Sequence, residues 1–332
     1  IGLLKLSATN IELTITTWVG AMIEEEGSVT VPARLLTEFI GSLPSGTIDV
    51  TVSDSPKILE LKCGRFDAQI NGTDSQEFPP IPDVDDGIEV KVGTRDLKSA
   101  IGLTAFAAAT EESRMVLTGV KMEADGDKFT LAAADGFRLA VHRTQVPEAV
   151  EGSIGVIVPG RSLTELGRFL GDSDEAVQIV VSSAKALVMF RFNDIEIISQ
   201  LIQGNFPPYD DLLGDATKDT KAKALLQLPE LLRAARSASI FARDSSGIIR
   251  LKMAPNANGR GQLTISSRAE EMGENTGEID CHIDGEESKI AFNSRYLLDV
   301  LSAMNGDTIS LETSGPSRAG VFKSPDSDGY VH

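Results

Sequence analysis

The chain has 332 residues, with 31 Lys+Arg against 49 Asp+Glu and a formal charge of −18. Its 41% hydrophobic and 24% charged content suits a globular protein of about two or three domains, which excludes wholesale disorder and a coiled-coil rod. No apolar run reaches the about 18–20 residues of a membrane span, two cysteines exclude a disulfide scaffold, and the acidity at face value opposes duplex DNA, where affinity comes from cations meeting phosphates.

In chain order, Leu4-Lys5-Leu6-Ser7-Ala8-Thr9-Asn10 opens a strand pattern, and Trp18 follows on an alternating stretch where packing accounts for it. Val31-Pro32-Ala33-Arg34 begins a helix, with Leu35, Leu36, Phe39, Ile40 and Leu43 at helical spacing and Pro32 suited to the first turn. A strand over 48–52 comes next, then a Pro-, Asp- and Gly-rich linker over 72–87 that contains Glu77-Phe78-Pro79-Pro80. A helix over 94–109, the strand segment Phe129-Thr130-Leu131-Ala132-Ala133-Ala134-Asp135 and the helix beginning Val158-Pro159-Gly160-Arg161 repeat the order. A strand over 177–181 and a second linker over 203–220, with Asn205-Phe206-Pro207-Pro208, complete that copy. The third copy has a helix over 229–242, the segment Leu263-Thr264-Ile265-Ser266-Ser267, a helix from Phe292-Asn293-Ser294-Arg295 and a strand over 308–311.

Three markers in one order mean a repeated unit, and each unit is expected to be α+β, with helices on one face of antiparallel sheets. The expected domains are 1–85, 86–216 and 217–332. By repeat phase the first copy lacks its upstream helix and the third stops before its Phe-Pro equivalent, so the chain is expected to be trimmed at both ends.

The acidity gathers in presumed turns: Glu24-Glu25-Glu26, 83–86, 172–175, Asp210-Asp211, Glu270-Glu271 and Glu286-Glu287, where solvated loop surface accounts for it. The five repeat helices differ. Their bases are Arg34, Arg95, Lys98, Arg161, Arg168, Arg233, Arg236 and Arg295, against Glu38, Asp96, Glu165, Glu230 and Asp299, a balance of +3. Arg161 and Arg168 share a helix face, as do Arg233 and Arg236.

Nothing in the sequence makes a catalytic constellation. There are three histidines, and no H-E-x-x-H, C-x-x-C, G-x-S-x-G, Walker A or G-x-G-x-x-G pattern. Gly259-Arg260-Gly261 after Asn256 and Asn258 suits a hairpin tip, and Cys63 and Cys281 suit core or strand positions in a reducing cytosol. No catalytic residue, metal or cofactor is expected.

The stretch Leu131-Ala132-Ala133-Ala134-Asp135-Gly136-Phe137-Arg138-Leu139-Ala140-Val141 resembles a signature of the bacterial DNA polymerase III beta subunits, the replicative sliding clamps. Val156-Ile157-Val158-Pro159-Gly160-Arg161 and Gln203-Gly204-Asn205-Phe206-Pro207-Pro208-Tyr209 resemble two more, and similar segments in the first and third copies extend the likeness over the whole chain. The resemblance implies a DNA-clamp fold: three clamp domains per chain, closed into a ring as a head-to-tail homodimer. Such a ring encircles double-stranded DNA without sequence preference and tethers the polymerase III catalytic subunit. It implies the clamp loader and other clamp-binding replication and repair proteins as further partners, no membrane, and a cytoplasmic location. An acidic exterior with mildly basic inner helices is coherent for a ring, because linkage replaces tight grip.

By resemblance, a partner-peptide pocket comprises Leu117, Ala134, Gly136, Phe137, Arg138, Leu139, Pro207, Leu212 and Val331. Ala134 stands where a Thr is usual and Phe137 where a His is usual, which makes the floor more apolar. The DNA-facing bases are the eight above together with Arg114, which matches a position beside the pocket loop. Gly160 stands where family members often carry a second base, and Met115 and Val116 where some carry aromatics. The subunit interface is implied to join an edge strand with Phe66, Ala68 and Ile70 to Ile240 and Phe241 of the partner. The alternative is a repeat-built interaction scaffold that never surrounds DNA; a nucleotidyl-transferring enzyme is a third reading, for which no constellation is found.

Overall fold

A computed structural model describes residues 2–54, 56–84, 86–173, 175–243, 246–256, 260–271, 273–325 and 327–332. Asp85 and Asp174 of the acidic runs, and Asn258 and Gly259 of the expected hairpin tip, lie outside the described residues.

The first copy contains β1 (Gly2–Thr9), β2 (Leu13–Ala21), α1 (Ala33–Ser42), β3 (Asp49–Asp54), β4 (Lys57–Cys63) and β5 (Phe66–Asn71). The second contains β6 (Ile88–Gly93), α2 (Thr94–Thr104), β7 (Gly119–Ala134), β8 (Leu139–Pro159), α3 (Gly160–Phe169), β9 (Ala176–Ser182), β10 (Leu187–Phe192), β11 (Ile195–Gln200) and α4 (Tyr209–Thr217). The third contains β12 (Ala222–Gln227), α5 (Leu228–Arg243), β13 (Ile248–Pro255), β14 (Arg260–Ala269), β15 (Gly273–Gly285), β16 (Ser288–Asn293), α6 (Ser294–Ala303), β17 (Thr308–Thr313), β18 (Gly320–Ser324) and β19 (Ser327–Val331).

The expected repeat helices form where the apolar spacing places them. The helix expected over 94–109 stops earlier: α2 ends at Thr104, whose hydroxyl bonds back to the Ala100 carbonyl at 2.6 Å, and Ala105–Ala107 tighten into a 3-10 turn. The linker expected over 203–220 is corrected by α4. Asp210 and Asp211 occupy its first turn, where the helix dipole favours anions, and Tyr209 is buried beneath it.

The chain divides into two compact units. One comprises residues 1–85 and 189–199. In it β1 pairs antiparallel with β2, residues 195–199 of β11 pair with β2, and β3-β4-β5 form a three-stranded sheet. Leu59, Leu61 and Ile70 of that sheet make a core with Leu36 and Phe39 of α1.

The other unit comprises residues 86–188 and 200–332. It holds the β6–β9 pair and a ten-stranded sheet in the order β16-β13-β14-β15-β12-β17-β18-β19-β8-β7. The antiparallel pairing of β19 with β8, Val331 opposite Val141, carries this sheet from third-copy strands to second-copy strands. Helices α2 and α3 pack together, and so do α5 and α6.

Burial separates the first copy from the others. Phe129 and Leu131 of β7, and Leu263 and Ile265 of β14, are fully buried, whereas the equivalent Leu4 and Leu6 of β1 are exposed. On the helices, Leu301 of α6 is buried, Gly167 of α3 lies against Ile101 of α2, and the equivalent Ile40 of α1 is exposed.

Candidate peptide pocket and basic helix faces

The long β7–β8 hairpin ends in a turn built by Asp135. Its carboxylate accepts from the amides of Phe137 at 2.8 Å and Arg138 at 3.0 Å, and its own amide donates to the Arg138 carbonyl at 3.3 Å. Gly136, the next residue, takes φ +90°, a conformation that a β-carbon would strain. The outcome is a rigid turn that presents the Phe137 ring, 76% exposed, to solvent.

Behind the turn, Ala132, Val141 and Tyr209 form a buried floor with Leu139, Phe206 and Leu213 packed on it. Ala134 is buried at the end of β7, Pro207 is half-buried just before α4, and Leu212 stands exposed on α4. Val331 lies opposite Val141 in the β19–β8 ladder. Leu117 is half-buried in a 3-10 segment, Glu112–Thr118, that leads directly into β7. The Tyr209 hydroxyl donates to the Glu123 carboxylate, and burial together with that bond pushes the phenol's pKa up. An ion pair of Arg143 with Asp210, 2.5 Å, adds a surface link between β8 and α4. Turn, strand and helix thus bring these apolar side chains together, beside a hollow at α4 whose lining also carries Lys121, Glu123, Asp210 and Asp211.

Arg138 does not project from this wall. Its guanidinium donates to the carboxylates of Asp135 at 3.1 Å and Asp299 at 2.7 Å and to the Phe106 carbonyl at 2.8 Å. Tyr296 of α6 stacks 4.3 Å from it and 6.4 Å from the Phe137 ring. Tyr296, Asp299 and Phe106 are the residues that reading the sequence missed: Tyr296 and Asp299 occur there only as members of a repeat helix, and Phe106 within an expected helix.

The basic residues fall into two groups. Arg34 pairs with Glu38 at 2.8 Å, Arg168 with Glu165 at 2.8 Å, and Lys98 with Asp172 at 3.0 Å, while Arg95 donates to the Asp172 carbonyl at 3.1 Å. The Lys98 ammonium holds the Asp172 carboxyl below its usual range. Arg161, Arg233, Arg236 and Arg295 are exposed on α3, α5 and α6 with no ion pair among the described residues. Arg114 belongs elsewhere: it lies in the irregular 3-10 segment, donates to the Asp135 carbonyl at 3.1 Å and sits 6.0 Å from the Phe137 ring. It braces the pocket turn and is not on a helix face.

β5 forms one edge of its three-stranded sheet. Phe66 is 55% exposed and Ala68 half-buried, but Ile70 is 3% exposed, inside the core with Leu59 and Leu61. The Ile70 side chain is therefore occupied within its own fold. Ile240, 61% exposed, and half-buried Phe241 lie near the end of α5. No cluster of metal-ligating side chains occurs among the described residues, and no helix among them is long and apolar enough to cross a membrane. Both cysteines are free, Cys63 buried and Cys281 half-buried.

Family models of the DNA polymerase III beta subunit match in series: the N-terminal domain over residues 2–82, the central domain over 91–208 and the C-terminal domain over 217–332. The beta sliding clamp of Bacillus subtilis (strain 168) is 30% identical over 311 residues, 93% of this chain and 80% of the relative. The chain belongs to the DNA polymerase III beta subunit family. The beta sliding clamp of Staphylococcus epidermidis (strain RP62A) is likewise 30% identical, over 98% of this chain and 85% of the relative. Among solved structures, the DNA polymerase sliding clamp from Bacillus subtilis superposes with a TM-score of 0.87 at 28% identity, covering 98% of this chain and 86% of that one. The DNA polymerase III subunit beta from Pseudomonas aeruginosa gives 0.87 at 26%, covering 99% and 88%. The three-domain clamp fold of helices and antiparallel sheets is thus that of the family, and the scaffold reading finds no support among these relatives.

Proposed function

We propose that the protein is a non-catalytic sliding clamp: two copies close head to tail into a ring, duplex DNA runs through the hole, and partners dock in the pocket built on the β7–β8 turn. The observation that carries this reading is the recurrence of exposed bases at equivalent positions, Arg34, Arg161 and Arg295, at the start of a helix in each of three copies. Bases spread thinly over successive helices offer weak, sequence-independent phosphate contacts, which suit sliding better than gripping. The domains are read as 1–85, 86–216 and 217–332. The polymerase catalytic subunit, the clamp loader and other clamp-binding proteins would compete for the one pocket, through Leu139, Pro207, Leu212 and Val331 in particular. Phe66, Ala68, Ile240 and Phe241 would supply apolar contacts between subunits, with β5 pairing through its open edge.

Loading the protein onto nicked circular DNA and then linearising the circle tests the topology. Release on linearisation is expected; retention would sink the encircling model and favour ordinary DNA binding or a scaffold. In parallel, fluorescein-labelled peptides tiled along the polymerase catalytic subunit should yield at least one that binds, and loses affinity on Leu212→Ala.

A further inference from the structure

We propose that Arg138 is a positioning residue: it ties α6 to the pocket turn and sets the spacing of the pocket walls, rather than offering its charge to a docked peptide. The proposal deepens the pocket reading above and rests on it.

Arg138 has no free surface to offer. Its side chain is only 10% exposed, all three guanidinium nitrogens already donate, and the Phe106 and Tyr296 rings lie 5.4 Å and 4.3 Å from it. Two carboxylates flank the one guanidinium, at 3.1 Å and 2.7 Å, so its donors are already committed within the chain. What the side chain does instead is join two pieces of chain. Asp135 belongs to the turn that holds Phe137, and Asp299 belongs to the helix that holds Tyr296 against Phe137.

The repeat supplies an independent argument. In the first two copies the acid four residues after the repeat arginine pairs within its own helix: Glu38 with Arg34, and Glu165 with Arg168. In the third copy that acid is Asp299, and it turns from its own helix to Arg138, leaving Arg295 without an ion pair among the described residues. One acid position has been taken from solvated helix surface to a contact between copies. A part-buried, charge-assisted pair of this kind costs most when one partner is removed.

The test measures two things in Arg138→Met, Asp299→Asn and the double variant: affinity for the tightest tiled peptide, and amide hydrogen exchange along α6. Each single variant should weaken the peptide about tenfold, and the double variant no further than the worse single, because the two residues act as one pair. Exchange along α6 should rise in all three. Leu212→Ala serves as the direct pocket contact: it should lose affinity with α6 exchange unchanged. If Asp299→Asn leaves both quantities at the wild-type level while Arg138→Met loses affinity, Arg138 contacts the peptide and the proposal is overturned. If the wild-type chain binds no tiled peptide, the pocket reading fails, and unchanged α6 exchange in the variants would still overturn the tie.

Discussion

Asp135, Gly136 and Phe137 divide one task. The carboxylate closes the turn, the glycine accepts its positive φ, and the aromatic ring is left facing water. Two histidines, His142 in β8 and His332 just after β19, face the opposite situation. Burial lowers the pKa of His142 against an opposing pull from Asp96, and burial with the Arg138 charge lowers that of His332 to about 3. Neither ring's buried Nδ1 has a hydrogen-bond partner among the described residues. A folded-state pKa below the unfolded value means the unfolded chain binds more protons between the two, so stability falls as pH drops through about 6.5 toward the folded pKa and levels off below it. The urea midpoint should be lower at pH 5 than at pH 7.5, with a slope of at most about 1.4 kcal/mol per pH unit for each histidine. His332→Phe should flatten this dependence; an unchanged slope would show that His332 titrates normally.

Among the elements, α1, α3 and α6 are legible in sequence because proline or asparagine marks their starts and apolar residues recur at helical spacing. α4 is not, because Pro208 before it and Gly214 within it imitate a linker, and its helical state depends on Tyr209 packing against Ala132 and Val141. The basic helices behave unequally for a reason the sequence conceals: some bases already have acids. Replacing Arg161, Arg233, Arg236 or Arg295 with Gln should each reduce retention on closed circular DNA and its salt dependence, by up to about 0.9 in the log–log slope for each phosphate left without its cation. Arg34→Gln should do less, since Glu38 already holds that guanidinium. Equal effects across the set would mean the ion pairs open freely in the presence of DNA, as exposed pairs worth about 0–1 kcal/mol can.

At the scale of the whole molecule, the charge of −18 separates into acidic turns, an acidic α4 and five repeat helices that carry a surplus of bases. Assembly is where the largest prediction lies. Phe66→Asp or Ile240→Asp should halve the mass seen in sedimentation equilibrium and abolish retention on circular DNA while leaving the thermal transition intact. Ile70→Asp should instead lower the transition itself, because that side chain sits in the core with Leu59 and Leu61. A dimer that survives both surface charges would place the interface elsewhere.

The sequence by itself determined the threefold repeat, the order of the recurring strand and helix segments, the helices that carry the bases and the family to which the chain belongs. These follow from local periodicity and from motifs contiguous in the chain. Only the tertiary structure decided that Arg138 meets Asp299, 161 residues away, and that Arg114 braces a turn. It also decided that Phe66 and Ile70, on one face of one strand, divide between solvent and core. The physical reason is common to all three. A period of two or of 3.6 says which way a side chain points, whereas what it meets there depends on elements brought up from distant parts of the chain.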